Sequence, residues 1–171
     1  DLRSAGRWDI ILHSIISSLF ASNEYRQDVE LHIIAMGPPN APRHITISYH
    51  KDNTVSKKNL KKLIEIALKK CRQGETKEVH PGVFIDDNTI ENIVEEESEN
   101  NIFMLDASGD HIKEIDSKKL DNGSFILCDY DGFDKKTKKF LKKNTNRMSL
   151  GHQMYFTSQS ITIINYELDN L

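Results

Sequence analysis

Two kinds of apolar spacing take turns along this chain, and their alternation narrows the possible folds more than any single motif. Between residues 8 and 20, Trp8, Ile11, Leu12, Ile15, Ile16, Leu19 and Phe20 recur at helical intervals. That stripe predicts an amphipathic helix with one buried face. Residues 29–36 (VELHIIAM) alternate and then turn apolar, as a strand does on entering a covered sheet. Gly37-Pro38-Pro39-Asn40-Ala41-Pro42 cannot extend it, because its three prolines fix φ and remove backbone donors. Ile45, Ile47 and Tyr49 alternate in a second strand. Ser56 is placed to cap a second helix, whose stripe of Leu60, Leu63, Ile64, Ala67, Leu68 and Cys71 is interleaved with lysines. After His80-Pro81-Gly82 come a short strand at 83–85 and an acidic helix at 88–97, capped by Asn88. Short apolar strands follow at 102–105 and 124–128, then a surface helix at 135–143 and a strand at 148–150. Residues 160–164 are β-branched, which favours a strand, yet Ile161, Ile164, Leu168 and Leu171 keep helical spacing.

Helices alternating with short apolar strands indicate an α/β fold with a mostly parallel sheet flanked by helices. With no repeat, linker or compositional break, the 171 residues read as a single domain spanning 1–171. The 37% apolar and 29% charged content excludes a disordered chain. No run reaches the ~18 apolar residues of a membrane span. Two cysteines make no disulfide framework, which points to a reducing, cytoplasmic setting. A net charge of −3 gives no overall field for nucleic acid, so RNA binding would need a local basic surface. The chain starts at Asp1 rather than Met, which points to residues upstream.

In open α/β sheets, ligands bind beyond the carboxyl ends of the strands. Three loops that leave such ends carry unusual residues: 37–42, 128–133 and 149–153. Glycine-rich dinucleotide and phosphate motifs are absent, as are zinc spacings and a nucleophile elbow, and no metal is expected. Asp129 and Asp131 read as turn formers and Cys128 as a buried, inert thiol. Arg7 and Asp9 flank Trp8. Asp9 suits the first turn of a helix, whereas Arg7 gains nothing there from the helix dipole, which leaves a functional role open. Two lysine rows are either solvated faces or phosphate contacts: Lys57, Lys58, Lys61, Lys62, Lys69 and Lys70, and Lys135, Lys136, Lys138, Lys139, Lys142 and Lys143.

Several of these segments form an ordered series. Gly6-Arg7-Trp8-Asp9, Arg26-x-Asp28-Val29 and Gly37-Pro38-Pro39-Asn40-Ala41-Pro42 come first. His80-Pro81-Gly82-Val83, Ile126-Leu127-Cys128-Asp129, Arg147-Met148-Ser149-Leu150 and Ile161-Thr162-Ile163-Ile164-Asn165 follow. From about residue 2 to residue 169, the chain resembles the TrmY family of tRNA pseudouridine N1-methyltransferases. That family is related to the Emg/Nep-type ribosomal RNA pseudouridine methyltransferases.

The resemblance implies a SPOUT-type α/β fold with a C-terminal trefoil knot that binds S-adenosyl-L-methionine (SAM). It implies a homodimer with active sites near the subunit interface, a helical C-terminal segment, and a further strand ahead of Asp1. The implied partner is RNA, tRNA in the first place, with no DNA and no membrane. The reaction would be methylation of N1 of pseudouridine 54 in the tRNA T-loop. Asp9, Arg7 and Asn40 would be catalytic, and Arg26 and Arg43 would bind substrate. Asp9 would accept the N1–H hydrogen bond or act as base, and Asn40 would meet the edge of the uracil-like ring. The cofactor would lie against Leu105, Cys128, Gly132, Leu150, Gly151, His152, Gln153, Met154, Tyr155 and Ser160. Three departures bear on substrate more than on fold: Cys128 where archaeal members have Gly, Ser160 where they often have Cys, and Leu150-Gly151-His152 in place of Leu-Ser-Pro. They keep two alternatives open: an RNA-binding SPOUT paralogue without efficient methyl transfer, and a SPOUT methyltransferase acting on another RNA such as ribosomal RNA.

Overall fold

The computed structural model describes residues 8–38, 41–52, 55–129 and 131–171. Arg7 and Asn40 lie outside the described residues. The chain forms two compact units, 1–89 and 90–171.

In the first unit, the apolar stripe forms helix α1 (Trp8–Leu19), which buries Trp8, Ile15 and Leu19. A tight hairpin of β1 (Phe20–Ala21) and β2 (Glu24–Tyr25) follows, turning through Ser22 at φ 57°. Then come β3 (Leu31–Ala35), β4 (Arg43–Ile47), α2 (Leu60–Lys70), β5 (Lys77–His80) and β6 (Val83–Asp86). The sheet order is β3-β4-β6-β5, and its three pairings are all antiparallel. The mostly parallel sheet expected from the sequence therefore does not hold in this unit. The loop 36–42 is long enough to reverse the chain, but a parallel crossover needs a dozen residues or more. Ile45, Ile47, Val83 and Ile85 pack beneath α1 residues Ile15 and Leu19 and α2 residues Leu60, Ile64 and Ala67. Helix α2 starts about a turn later than Ser56 suggested. Ser56 and Asn59 close a turn on each other, Asn59 Oδ1 accepting from Ser56 N at 2.8 Å, and Asn59 becomes the residue that precedes the helix.

The second unit runs through α3 (Ile90–Glu96), β7 (Asn101–His111), a 3-10 turn (Ile112–Glu114) and α4 (Ser117–Asp121). It continues with β8 (Gly123–Ile126), α5 (Lys135–Asn144), β9 (Asn146–Ser149) and α6 (Thr157–Leu168). Here the expected parallel sheet is found, in the order β8-β7-β9. Along β7, Phe103 joins a core with Ile112, Leu120, Met148 and Ile164, while Ile102 and Met104 join a second core with Val94 and Leu141. Successive side chains of a strand point to opposite faces, so the run Ile102–Met104 is apolar because both faces of this sheet are covered. The C-terminal segment is helical, as its spacing and the family resemblance implied.

Strand β7 is longer than expected and irregular. Leu105 and Asp110 both lie opposite Met148, so residues 106–109 form an excursion between them. Gly109 makes the excursion possible, since a Cβ there would come within 2.5 Å of the Arg147 carbonyl carbon. Four contacts that involve side chains tie the excursion down. Asp106 Oδ1 accepts from Ser108 N (2.9 Å) and Ser108 Oγ (2.7 Å). Arg147 Nη1 donates to Ser108 Oγ at 3.0 Å, and Lys142 Nζ lies 3.6 Å from Asp106 Oδ2.

Candidate active site

The three strands of the second unit run parallel, so their carboxyl ends share one edge, and several of the cofactor residues expected from the sequence follow strands there. Leu105 lies in β7 where the pairing with β9 breaks, Cys128 and Gly132 follow β8, and Leu150 and Gly151 follow β9. Leu105, Leu127 and Leu150 are half-buried against the core of Phe103, Met148 and Ile164. Thr157 Oγ1, at the start of α6, donates to the Cys128 carbonyl at 2.7 Å and joins the loop after β8 to that helix. Gly151 has φ +104°, a conformation L side chains rarely adopt, and its N–H donates to Ser149 Oγ at 3.0 Å. Ser160 is buried in the first turn of α6, and its N–H donates to the Phe156 carbonyl at 2.9 Å. The stretch His152, Gln153, Met154 and Tyr155 is exposed, Met154 to 91%.

Half-burial pushes the Cys128 thiol above its ordinary value, the carboxylate of Asp129 adding to the effect. The thiol stays protonated at neutral pH, in keeping with an inert wall residue. An apolar leucine wall beside loops rich in backbone donors and acceptors suits SAM, which has an aromatic base at one end and an amino acid at the other. A cavity of about 430 Å³ in this unit lies at the opposite, amino-terminal edge of the sheet, lined by Asn100, Ile102, Lys143 and Asn146 among others. It belongs to none of the expected site residues.

The first unit holds the expected substrate residues on separate elements. Asp9 is exposed in the first turn of α1. Arg26 follows the β1–β2 hairpin, its N–H donating to the Leu19 carbonyl at 2.8 Å. Arg43 opens β4 and donates through Nη2 to the Gly37 carbonyl at 3.3 Å, bracing the proline loop. The peptide bond between Ala41 and Pro42 in that loop is cis. The lysines of both rows are exposed, but Lys57 Nζ donates to the Ser22 carbonyl at 2.6 Å and lies over the Phe20 ring, and Lys142 faces Asp106. Two clusters went unanticipated: the Asp106, Ser108 and Arg147 contacts, and a line of Glu30, His32, His44 and Asp86 across the antiparallel sheet. The signal for the latter was two histidines at strand positions on either side of the proline loop.

A family model described as "Putative SAM-dependent RNA methyltransferase" matches residues 1–171. The chain belongs to this methyltransferase family. A protein of Vibrio vulnificus named "Putative pseudouridine methyltransferase" is 30% identical over 169 residues, covering 94% of this chain and 84% of that protein. The "tRNA (pseudouridine(54)-N(1))-methyltransferase" of Thermococcus gammatolerans is 26% identical over 176 residues, covering 98% and 86%. Among solved structures, Archaeoglobus fulgidus Nep1 bound to S-adenosylhomocysteine superposes with a TM-score of 0.68 at 14% identity, covering 99% of this chain and 74% of that one. At that identity the likeness concerns the fold alone. The family match supplies the cofactor class, and the carboxyl edge of the parallel sheet has the composition to hold it.

Proposed function

We propose that this chain transfers a methyl group from SAM to N1 of pseudouridine 54 in the T-loop of tRNA. The family match over the whole chain carries this reading, because it runs through both units. The relatives named for pseudouridine methylation extend it to the substrate.

When bound, the cofactor supplies an electrophilic methyl group, and Leu105, Leu127, Leu150, the turn 128–132 and the stretch 150–155 would hold it. The chain's own residues have to place the RNA nitrogen and deal with its proton. Asp9 has the carboxylate to accept N1–H, as a hydrogen bond or as a base. Arg7, Arg26 and Arg43 are suited to phosphate and to charge that develops on the ring. The side-chain amide of Asn40 offers both a donor and an acceptor to a uracil-like edge. The SPOUT trefoil knot and a cytoplasmic location are part of this reading. So is a homodimer, supported by the exposed apolar side chains Met154, Phe156 and Tyr166 in the second unit, 91%, 70% and 64% exposed.

Calorimetric titration with SAM, alongside a melting scan, tests the reading. Saturation at ~100 times the dissociation constant is expected to add about 2.7 kcal/mol of stability. For a chain of this size the melting temperature then rises by roughly 5–10 °C. Absence of both heat and shift would favour a paralogue that binds RNA without the cofactor.

A further inference from the structure

Four titratable side chains lie in one line across the antiparallel sheet. Glu30 Oε1 is 3.0 Å from His32 Nε2, His32 Nδ1 is 2.9 Å from His44 Nε2, and His44 Nδ1 is 2.8 Å from Asp86 Oδ1. His32 belongs to β3, His44 to β4 and Asp86 to the end of β6, so the line crosses three strands. The two imidazole planes differ by 4° and their centroids are 5.1 Å apart. With a 2.9 Å nitrogen contact, that geometry is of two rings meeting edge to edge in one plane. The ends of the line differ: the Glu30 side chain is 53% exposed, whereas His44 and Asp86 are 3% and 6% exposed.

The hydrogens in this line can be counted. Its three gaps need one hydrogen each. The bond from His32 holds the Glu30 carboxyl below its ordinary range, so at neutral pH Glu30 only accepts. Asp86 Oδ1 also receives the Asn88 N–H at 2.9 Å, and an oxygen with two donors acts as a carboxylate acceptor. All three hydrogens must then come from the four ring nitrogens, and two neutral imidazoles carry only two. With two neutral rings one gap lacks a hydrogen: either a bare His32 nitrogen faces the Glu30 carboxylate, or, with both outer bonds made, two ring lone pairs face each other beside buried His44, and each arrangement is unfavourable. The Thr46 hydroxyl, 3.2 Å from His44 Nε2, can donate to that nitrogen or accept from it, so it fits either position of the third hydrogen.

We infer that His32 and His44 share one extra proton in the folded protein, and that this charged bridge positions Arg43 for RNA. The bridge stands on its own geometry, and only its consequence for RNA rests on the proposed function. Arg43 directly precedes His44 at the start of β4, and its guanidinium braces the proline loop through the Gly37 carbonyl. His44 is bonded to both neighbouring strands, so the residue before it is held at a fixed place and direction. Among the described residues, Glu30 and Asp86 face the pair, Arg43 adjoins His44 in β4, and the Cys71 thiol lies 3.3 Å from the Asp86 carbonyl, with Asp87 acting on that thiol. Rising pH removes the shared proton, opens one gap and loosens the start of β4.

The test pairs nitrogen-15 NMR of the imidazole rings in the full chain with RNA affinity, in the parent and in His32→Gln. At neutral pH, three ring hydrogens are expected on His32 and His44, with the signals of both residues moving together as the pH rises. The affinity of the parent for a T-arm hairpin carrying pseudouridine 54 is expected to fall roughly three- to tenfold between about pH 6 and 9, the scale of one charge-assisted hydrogen bond. His32→Gln is expected to flatten that dependence and leave SAM affinity unchanged. Two ring hydrogens titrating independently would overturn the bridge. An equal fall of RNA affinity in His32→Gln would overturn the positioning of Arg43. Absence of RNA binding at every pH would defeat the proposed function instead, with the NMR result still deciding the bridge.

Discussion

Asp9 carries the sharpest expectation at the residue scale. It stands exposed in the first turn of α1, where a carboxylate is favoured by the helix dipole and accessible to RNA. Asp9→Asn keeps the shape and removes the basic oxygen, so turnover is expected to drop by about 10²–10⁴ while the SAM dissociation constant stays within a few fold. Unchanged turnover in that variant would remove Asp9 from the reaction. Asp106 tests the anchoring of the cofactor edge. The two Ser108 donors hold its carboxyl below the usual carboxylate range, with Lys142 and Lys138 adding to them. A depressed folded value stabilises above the ordinary range, about pH 4, and that stability is lost as pH falls through the folded value. Melting temperatures from about pH 5 down to 2 should therefore decline less steeply in Asp106→Asn than in the parent. Individual roles were only partly legible in the sequence. Cys128, Leu150 and Gly151 could be grouped because each lies at or after the end of an apolar strand, whereas Leu105 came from the family resemblance alone. The His44–Asp86 contact spans 42 positions, and nothing local to either residue signals it.

At the scale of elements, legibility followed apolar periodicity. The stripes of α1 and α2 and the runs in β3, β7 and β9 predicted their own elements, because burial of those side chains drives their formation, whereas α6, β-branched at 160–164, needed the family resemblance to be read as a helix. Strand β5 (Lys77–His80) was missed, since its first two residues are exposed and the Pro81-Gly82 turn pairs it with β6 without an apolar face. The outer half of β7 was missed for a similar reason. Residues 106–110 are mostly small or polar, and what holds them is the Arg147 and Lys142 contacts and the room left by Gly109. Pair orientation in the first sheet was misjudged because alternation of elements does not fix strand direction, which loop length decides. Helix α5 yields a test of its own. Lys135 and Lys139 are exposed and are not among the groups that hold Asp106, so replacing both with Ala should spare the fold. If this face meets phosphate, the slope of RNA affinity against salt should flatten by about 1 for each phosphate that the variant no longer neutralises. An unaltered slope would make α5 a solvated face.

For the whole molecule, both units lie within one family model, and the chain matches relatives over most of their length. The proposed homodimer gives a mass near twice 19.7 kDa in sedimentation, and Phe156→Asp together with Tyr166→Asp is expected to shift it toward monomer. A dimer unaffected by that pair would place the interface elsewhere. The chemistry itself is tested most directly by methyl transfer. The full chain is incubated with SAM and a tRNA carrying pseudouridine at position 54, beside the same tRNA with uridine there, and the digested nucleosides are analysed by mass spectrometry. The expected result is N1-methylpseudouridine from the first RNA and no methylated nucleoside from the second. A methyl group on neither RNA, or on both alike, would contradict the assignment of pseudouridine 54 as the substrate.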